Sequence, residues 1–272
     1  MLNEFQRKLA TSNLYLIDRK YVSGRIIEYD IRRANSTILF KYNKIDQDLY
    51  NYLNNVDKNV REVTIGKMIR EDKEIDKIIK KGIIEAKKQL FEANNIQPHE
   101  VIRIANDAVY VNRSIDLQYT DFDIVHFAQK TISNSFLNLN KYLFFINYDN
   151  NQIGVEIKGI GENQILHQDY LISIIVNIIC TLEFNSIKEA IKQLNMFIDD
   201  YINLRLDVGF YREFNPESKF RLKPFIKYTR FSFLSDFVDS NEISSIDISY
   251  NLYILRELMS ILFQIYQSVY RE

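Results

Sequence analysis

Two short β-branched runs, each closed by an aspartate, flank a long amphipathic helix. This arrangement most constrains what the chain can fold into. Residues 24–39 read Gly-Arg-Ile-Ile-Glu-Tyr-Asp-Ile-Arg-Arg-Ala-Asn-Ser-Thr-Ile-Leu, and residues 101–111 read Val-Ile-Arg-Ile-Ala-Asn-Asp-Ala-Val-Tyr-Val. Between them, Ile75, Ile78, Ile79, Ile83, Ala86 and Leu90 recur three and four apart, which predicts one helix over about 74–94 with a single apolar stripe. Asp30 and Asp107 fall at or just after the ends of the two runs.

The rest of the chain extends this order. Residues 13–18 and 24–30 read as two strands joined at a Ser23-Gly24 turn. Helices are expected at about 34–43, 46–54 and 59–71, and strands at 100–105 and 108–113 with Asn106-Asp107 as the tight turn between them. Residues 131–158 are rich in Phe, Tyr, Ile and Val, and Asp149-Asn150-Asn151 supplies a turn, so a second hairpin is expected there. From 168 onward the pattern is helical: 168–184, 186–204 and 247–270. The last of these spaces Leu252, Leu255, Met259, Leu262, Tyr266 and Val269 to pack against another helix, within the chain or across a homo-oligomer. Residues 205–245 carry no pattern that assigns them. The fold class expected is α+β. An antiparallel-sheet domain over 1–160 carries a helical insertion at about 46–95, and a mostly helical domain follows over 161–272.

Composition limits the function classes. One cysteine, Cys180, leaves no internal disulfide and suits a reducing, cytoplasmic setting. The first eight residues hold no apolar signal core. The apolar run 168–184 is broken by Asn177 and falls short of the roughly 20 residues a membrane span needs, so a buried helix and no membrane partner are expected. A formal net charge of −1 counts against wholesale nucleic-acid coating but permits a local basic channel. His99, His126 and His167 have no ligand spacing and read as structural.

Paired carboxylates on neighbouring strands are what a two-metal phosphoryl-transfer site needs, with hard oxygen ligands holding two cations about 4 Å apart. Taken singly, Asp30 also suits the start of the helix near 34, and Asp107 also suits a hairpin turn. On the insertion, Arg61, Lys67 and Arg70 offer cations for a triphosphate, or a solvated face beside Glu62, Glu71 and Asp72. Arg32 and Arg33 flank the first aspartate and are phosphate candidates as well.

With these elements in this order, the chain resembles the palm and thumb of a family B DNA polymerase, in a reduced, phage- or virus-like form. Asp30-Ile31-Arg32-Arg33-Ala34-Asn35-Ser36-Thr37-Ile38-Leu39 resembles the family's first motif, an Asp followed by Phe, any residue, and Ser-Leu-Tyr-Pro-Ser-Ile. Ala105-Asn106-Asp107-Ala108 resembles its Asp-Thr-Asp-Ser hairpin, with Ala105 in place of the first acid. Lys141-Tyr142 resembles the Lys-x-Tyr primer element, and Glu156-Ile157-Lys158-Gly159-Ile160 the exit from palm to thumb.

The resemblance implies a nucleotidyltransferase that uses Mg²⁺ or Mn²⁺ to add nucleoside triphosphates to a 3′-hydroxyl. Asp30, the Ile31 carbonyl and Asp107 would hold metal, and Lys141, Tyr142 and Lys158 would contact nucleic acid. It also implies that Asn35 stands where the family carries a ribose-excluding Tyr, so discrimination between sugars would be weak. The interval between the aspartates is too short for full-sized fingers, and no exonuclease segment is expected before residue 30. A catalytically degenerate palm serving as an accessory or regulatory binding protein is the alternative reading.

Overall fold

The structure, a computed structural model, describes residues 2–117, 125–139, 142–149, 152–158, 168–203, 205–206 and 245–270. The chain divides into two units. The first holds Met1–Asp18 and Gly24–Ser133, and the second holds Arg19–Ser23 and Asn134–Glu272.

The first unit begins with α1 (Glu4–Thr11), capped reciprocally by Asn3 and Gln6. β1 (Leu14–Leu16) and β2 (Tyr21–Ile31) follow, then α2 (Ala34–Lys41), α3 (Gln47–Asn55), α4 (Lys58–Glu71) and α5 (Lys73–Asn94). A single 3₁₀ turn leads into β3 (Val101–Ala105) and β4 (Ala108–Val111), and β5 (Phe127–Leu139) carries the chain onward. The hydrogen-bonded strand order is β1-β3-β4-β2-β5, with β1–β3, β3–β4 and β2–β4 all antiparallel.

Alternation along β2 decides what each sheet face does. Ile27, Tyr29 and Ile31 enter the core with Val101, Ile104, Val109 and Val111, so Glu28 and Asp30 lie on the opposite face. Helix α5 runs as the sequence predicts. Asp72 caps it by accepting from the Glu74 N–H, and Asn95 ends it at a left-handed φ of 48°. Its stripe of Ile75, Ile79, Ile83, Ala86 and Leu90 is buried. Gly82 lets α5 meet α2: a Cβ placed there would lie 2.4 Å from Ile38 Cγ2.

One sequence expectation is corrected. Ser23 and Gly24 do not turn between two paired strands; both lie inside β2, which pairs with β4, while β1 pairs with β3. Gly24 takes a φ of 110°, so its freedom serves a local distortion within a strand and not a hairpin loop.

In the second unit, the distal half of β5 pairs with β6 (Tyr142–Asp149), and β6 pairs with β7 (Gln152–Lys158). The expected hairpin is therefore the last two strands of a three-stranded antiparallel meander. Its buried face, with Leu137, Leu139, Phe144 and Ile146, packs with α6 (Gln168–Phe184), α7 (Ile187–Ile202) and α8 (Ser245–Tyr270). Leu255 and Leu262 of α8 are buried in this core, so much of that stripe is satisfied within the chain. Among the described residues no helix is long and apolar enough to cross a membrane. The passage between units lies inside β5, upstream of Gly159–Gly161. Residues 207–244, left unassigned from the sequence, fall outside the described residues.

Candidate active site

Strand register brings the two aspartates together. Asp30 pairs with Ala108 across β2 and β4, and Asp107 is the residue just before Ala108 in the β3–β4 turn. Asn106 opens that two-residue turn at a φ of 54°, a left-handed conformation that Asn tolerates better than most residues. The turn is braced from outside the hairpin. The Asn106 N–H donates to the Asn13 carbonyl at 2.8 Å. One residue earlier, the Ser12 carbonyl accepts from the Lys87 ammonium of α5. Lys87 is fully buried, and desolvation pulls its pKa down to about 8 against the opposing pull of the Asp107 charge.

The aspartates are electrostatically joined. Burial pushes the Asp107 carboxyl up to about 6; the Asp30 charge and a hydrogen bond shared with Asp30 push the same way. Asp30 Oδ1 is buried with no N–H or O–H donor, while Asp30 Oδ2 lies 3.5 Å from Lys130 Nζ of β5. A buried carboxylate oxygen without a donor, beside a second desolvated carboxylate, is the environment a hard cation relieves.

Among the described residues no cluster of three or more His, Cys, Asp or Glu surrounds a common metal point. A closed zinc-type site is therefore a poor fit to these donors. Mg²⁺ or Mn²⁺, which need few carboxylates and complete their shells with water and phosphate oxygens, fit better.

On the same strand face as Asp30 sits Glu28, two residues before it and only 2% exposed. It accepts from the Tyr110 hydroxyl at 2.7 Å and the Thr131 hydroxyl at 2.7 Å, and lies 3.5 Å from Lys130 Nζ.

In front of the pair is a cavity of about 580 Å³. Asp30, Ile31, Arg33, Asn35, Arg61 and Asp107, all expected from the sequence, line it together. Arg33 holds a φ of 50° at the cap of α2, a strained conformation for a residue with a side chain, and it turns the chain from β2 into the helix beside Asp30. Glu28, Lys58, Lys80 and Lys130, which no sequence motif marks, also line the cavity. Glu28 was legible as the i−2 neighbour of Asp30 on the same strand face. The lysines carry no local signal, because they enter through the packing of α4, α5 and β5. Lys80 pairs with Asp76, another lining residue, at 2.6 Å.

The remaining expected residues lie elsewhere. Arg32, Lys67 and Arg70 are exposed and do not line this cavity; Lys67 and Arg70 share a face of α4 different from that of Lys58 and Arg61. Tyr142 is buried in the core of the second unit. Lys158 pairs with Glu156 at 3.1 Å and lies over the Phe145 ring. Lys141 falls outside the described residues.

The family model described as Bacteriophage PBS1 gene 130 protein matches residues 7–264. No curated protein matches the chain.

Proposed function

The chain belongs to the Bacteriophage PBS1 gene 130 protein family. From the geometry of its aspartate site we propose that it is a small palm-type nucleotidyltransferase acting on a nucleoside triphosphate and a 3′-hydroxyl. The reading rests above all on the convergence of Asp30 and Asp107, from a strand and a neighbouring hairpin turn, on one cavity with cationic side chains. Asp30 and Asp107 would hold Mg²⁺ or Mn²⁺. Bound there, the cations would supply the charge that activates the hydroxyl and neutralises departing pyrophosphate.

The chain's own groups do the rest. Lys58, Arg61 and Lys80 line the same cavity and would bind the triphosphate oxygens, as cations do in phosphoryl transfer. The first turn of α2, at Ala34 and Asn35, adds backbone N–H groups that favour an anion. Asn35 would meet the sugar, its amide able to bond a 2′-hydroxyl. Lys87 and the Asn13 carbonyl hold the turn that carries Asp107 in place.

A second reading has one observation in its favour: Ala105, opposite Ala108 at the foot of the hairpin, stands where the resembling motif has an acid. That reading is a palm that binds nucleotide without transferring it. Incorporation of labelled nucleotide onto a 3′-hydroxyl oligonucleotide separates the two. Wild type is expected to incorporate in Mg²⁺ or Mn²⁺, with Asp30→Asn and Asp107→Asn each reducing the rate at least about a hundredfold. Folded wild type that binds nucleotide and never incorporates it would favour the second reading.

A further inference from the structure

We propose that Lys130 is a built-in counter-cation of the aspartate site, that Glu28 is its second berth, and that exchange between the two sets the site's affinity for divalent cations. The inference rests on the reading of Asp30 and Asp107 as a cation site. The Lys130 ammonium lies midway, 3.5 Å from Asp30 Oδ2 and 3.5 Å from Glu28 Oε1. At these distances it is an ion-pair partner of both carboxylates.

The three groups differ in freedom. Glu28 is fixed: it is almost wholly buried and held by the Tyr110 and Thr131 hydroxyls. Lys130 is not: its side chain is 53% exposed, on a flexible four-carbon stem. Asp30 is held by Lys130 on one oxygen only, the other being buried with no donor. A divalent cation between Asp30 and Asp107 would be repelled by an ammonium 3.5 Å from one of its own ligands. Lys130 has somewhere to go, because Glu28 is a buried charge that keeps its need for a cation. Glu28 is thus a positioning residue, acting on the metal site through Lys130.

The two charges then have opposite effects on metal affinity. Removing Lys130 removes the competitor. Removing the Glu28 charge leaves Lys130 to the two aspartates and strengthens the competitor. Titration of the full chain with Mn²⁺, followed by the electron paramagnetic resonance signal of the free ion, reads both directly.

Lys130→Met is expected to bind Mn²⁺ roughly three- to tenfold more tightly than wild type, and Glu28→Gln several-fold more weakly, with thermal melting confirming that each is folded. In the Lys130→Met background, Glu28→Gln is expected to have little further effect. Mn²⁺ affinity unchanged or weakened in Lys130→Met, with Asp30→Asn still abolishing binding, would overturn the exchange while leaving the cation site standing. An equal loss from Glu28→Gln with and without Lys130 would also overturn it. Wild type that binds no Mn²⁺ would remove the cation site and the exchange together.

Discussion

At the scale of single residues, the site buries carboxylate charge that its neighbouring lysine relieves only in part: Lys130 reaches one oxygen of Asp30, and the other is buried with no donor. The Asp107 carboxyl, pushed up to about 6 by burial and by Asp30, binds its proton more tightly when folded than when unfolded. Between about pH 4 and 6 the unfolded chain therefore holds fewer protons, and stability falls as pH rises through that window. Asp107→Asn is expected to remove this fall and to make the metal-free protein more stable at pH 7 by about 1–3 kcal/mol, measured by urea denaturation. Lys87 works in the opposite sense. Its pKa, lowered to about 8, means that above pH 8 the folded state loses a proton the unfolded state keeps. Wild-type stability is thus expected to gain on that of Lys87→Met as pH rises from about 8 to 10, and parallel denaturation curves check this. Sequence alone pointed to Asp30 and Asp107 because an acid closing a β-branched run is a local signal. Lys130 was not legible: its pairing with Asp30 exists only because β5 lies beside β2, 100 residues along the chain.

At the scale of elements, the long amphipathic stripes read well and the short polar junctions did not. Helix α5 begins and ends within a residue of its expected limits because its caps and its stripe agree. The Ser23-Gly24 pair misled because glycine marks a distortion inside a strand as readily as a turn between strands. On α4, Arg61 stands in one basic set with Lys67 and Arg70 along the sequence, but helical geometry sends the latter two to another face. Gly82 carries no signal of its own in the sequence, and its role appears where α5 meets α2. Gly82→Ala gains about 1 kcal/mol of helix propensity. It also drives a methyl group into fully buried Ile38, whose Cγ2 would stand 2.4 Å away. The net effect expected is destabilisation by about 1–3 kcal/mol, smaller in an Ile38→Ala background, as thermal melting of the four-protein cycle measures.

At the scale of the whole molecule, the α+β class followed from the order of periodicities. Strand patterning over 131–158 says nothing about which helices cover those strands. Leu137, Phe144 and Ile146 share a core with α6, α7 and α8, and the first unit keeps its own core of β1–β4 with α1, α2 and α5. All the candidate site groups lie in that first unit, from Glu28 to Lys130. The central claim is that this unit holds a cation-dependent triphosphate site. Calorimetric titration of the full chain with a nucleoside triphosphate, with and without Mg²⁺, tests it on wild type and Asp30→Asn. The account predicts binding by wild type that strengthens at least about tenfold with Mg²⁺, and loss of that strengthening in Asp30→Asn. Equal affinity with and without Mg²⁺, or an Asp30→Asn variant indistinguishable from wild type, would contradict it.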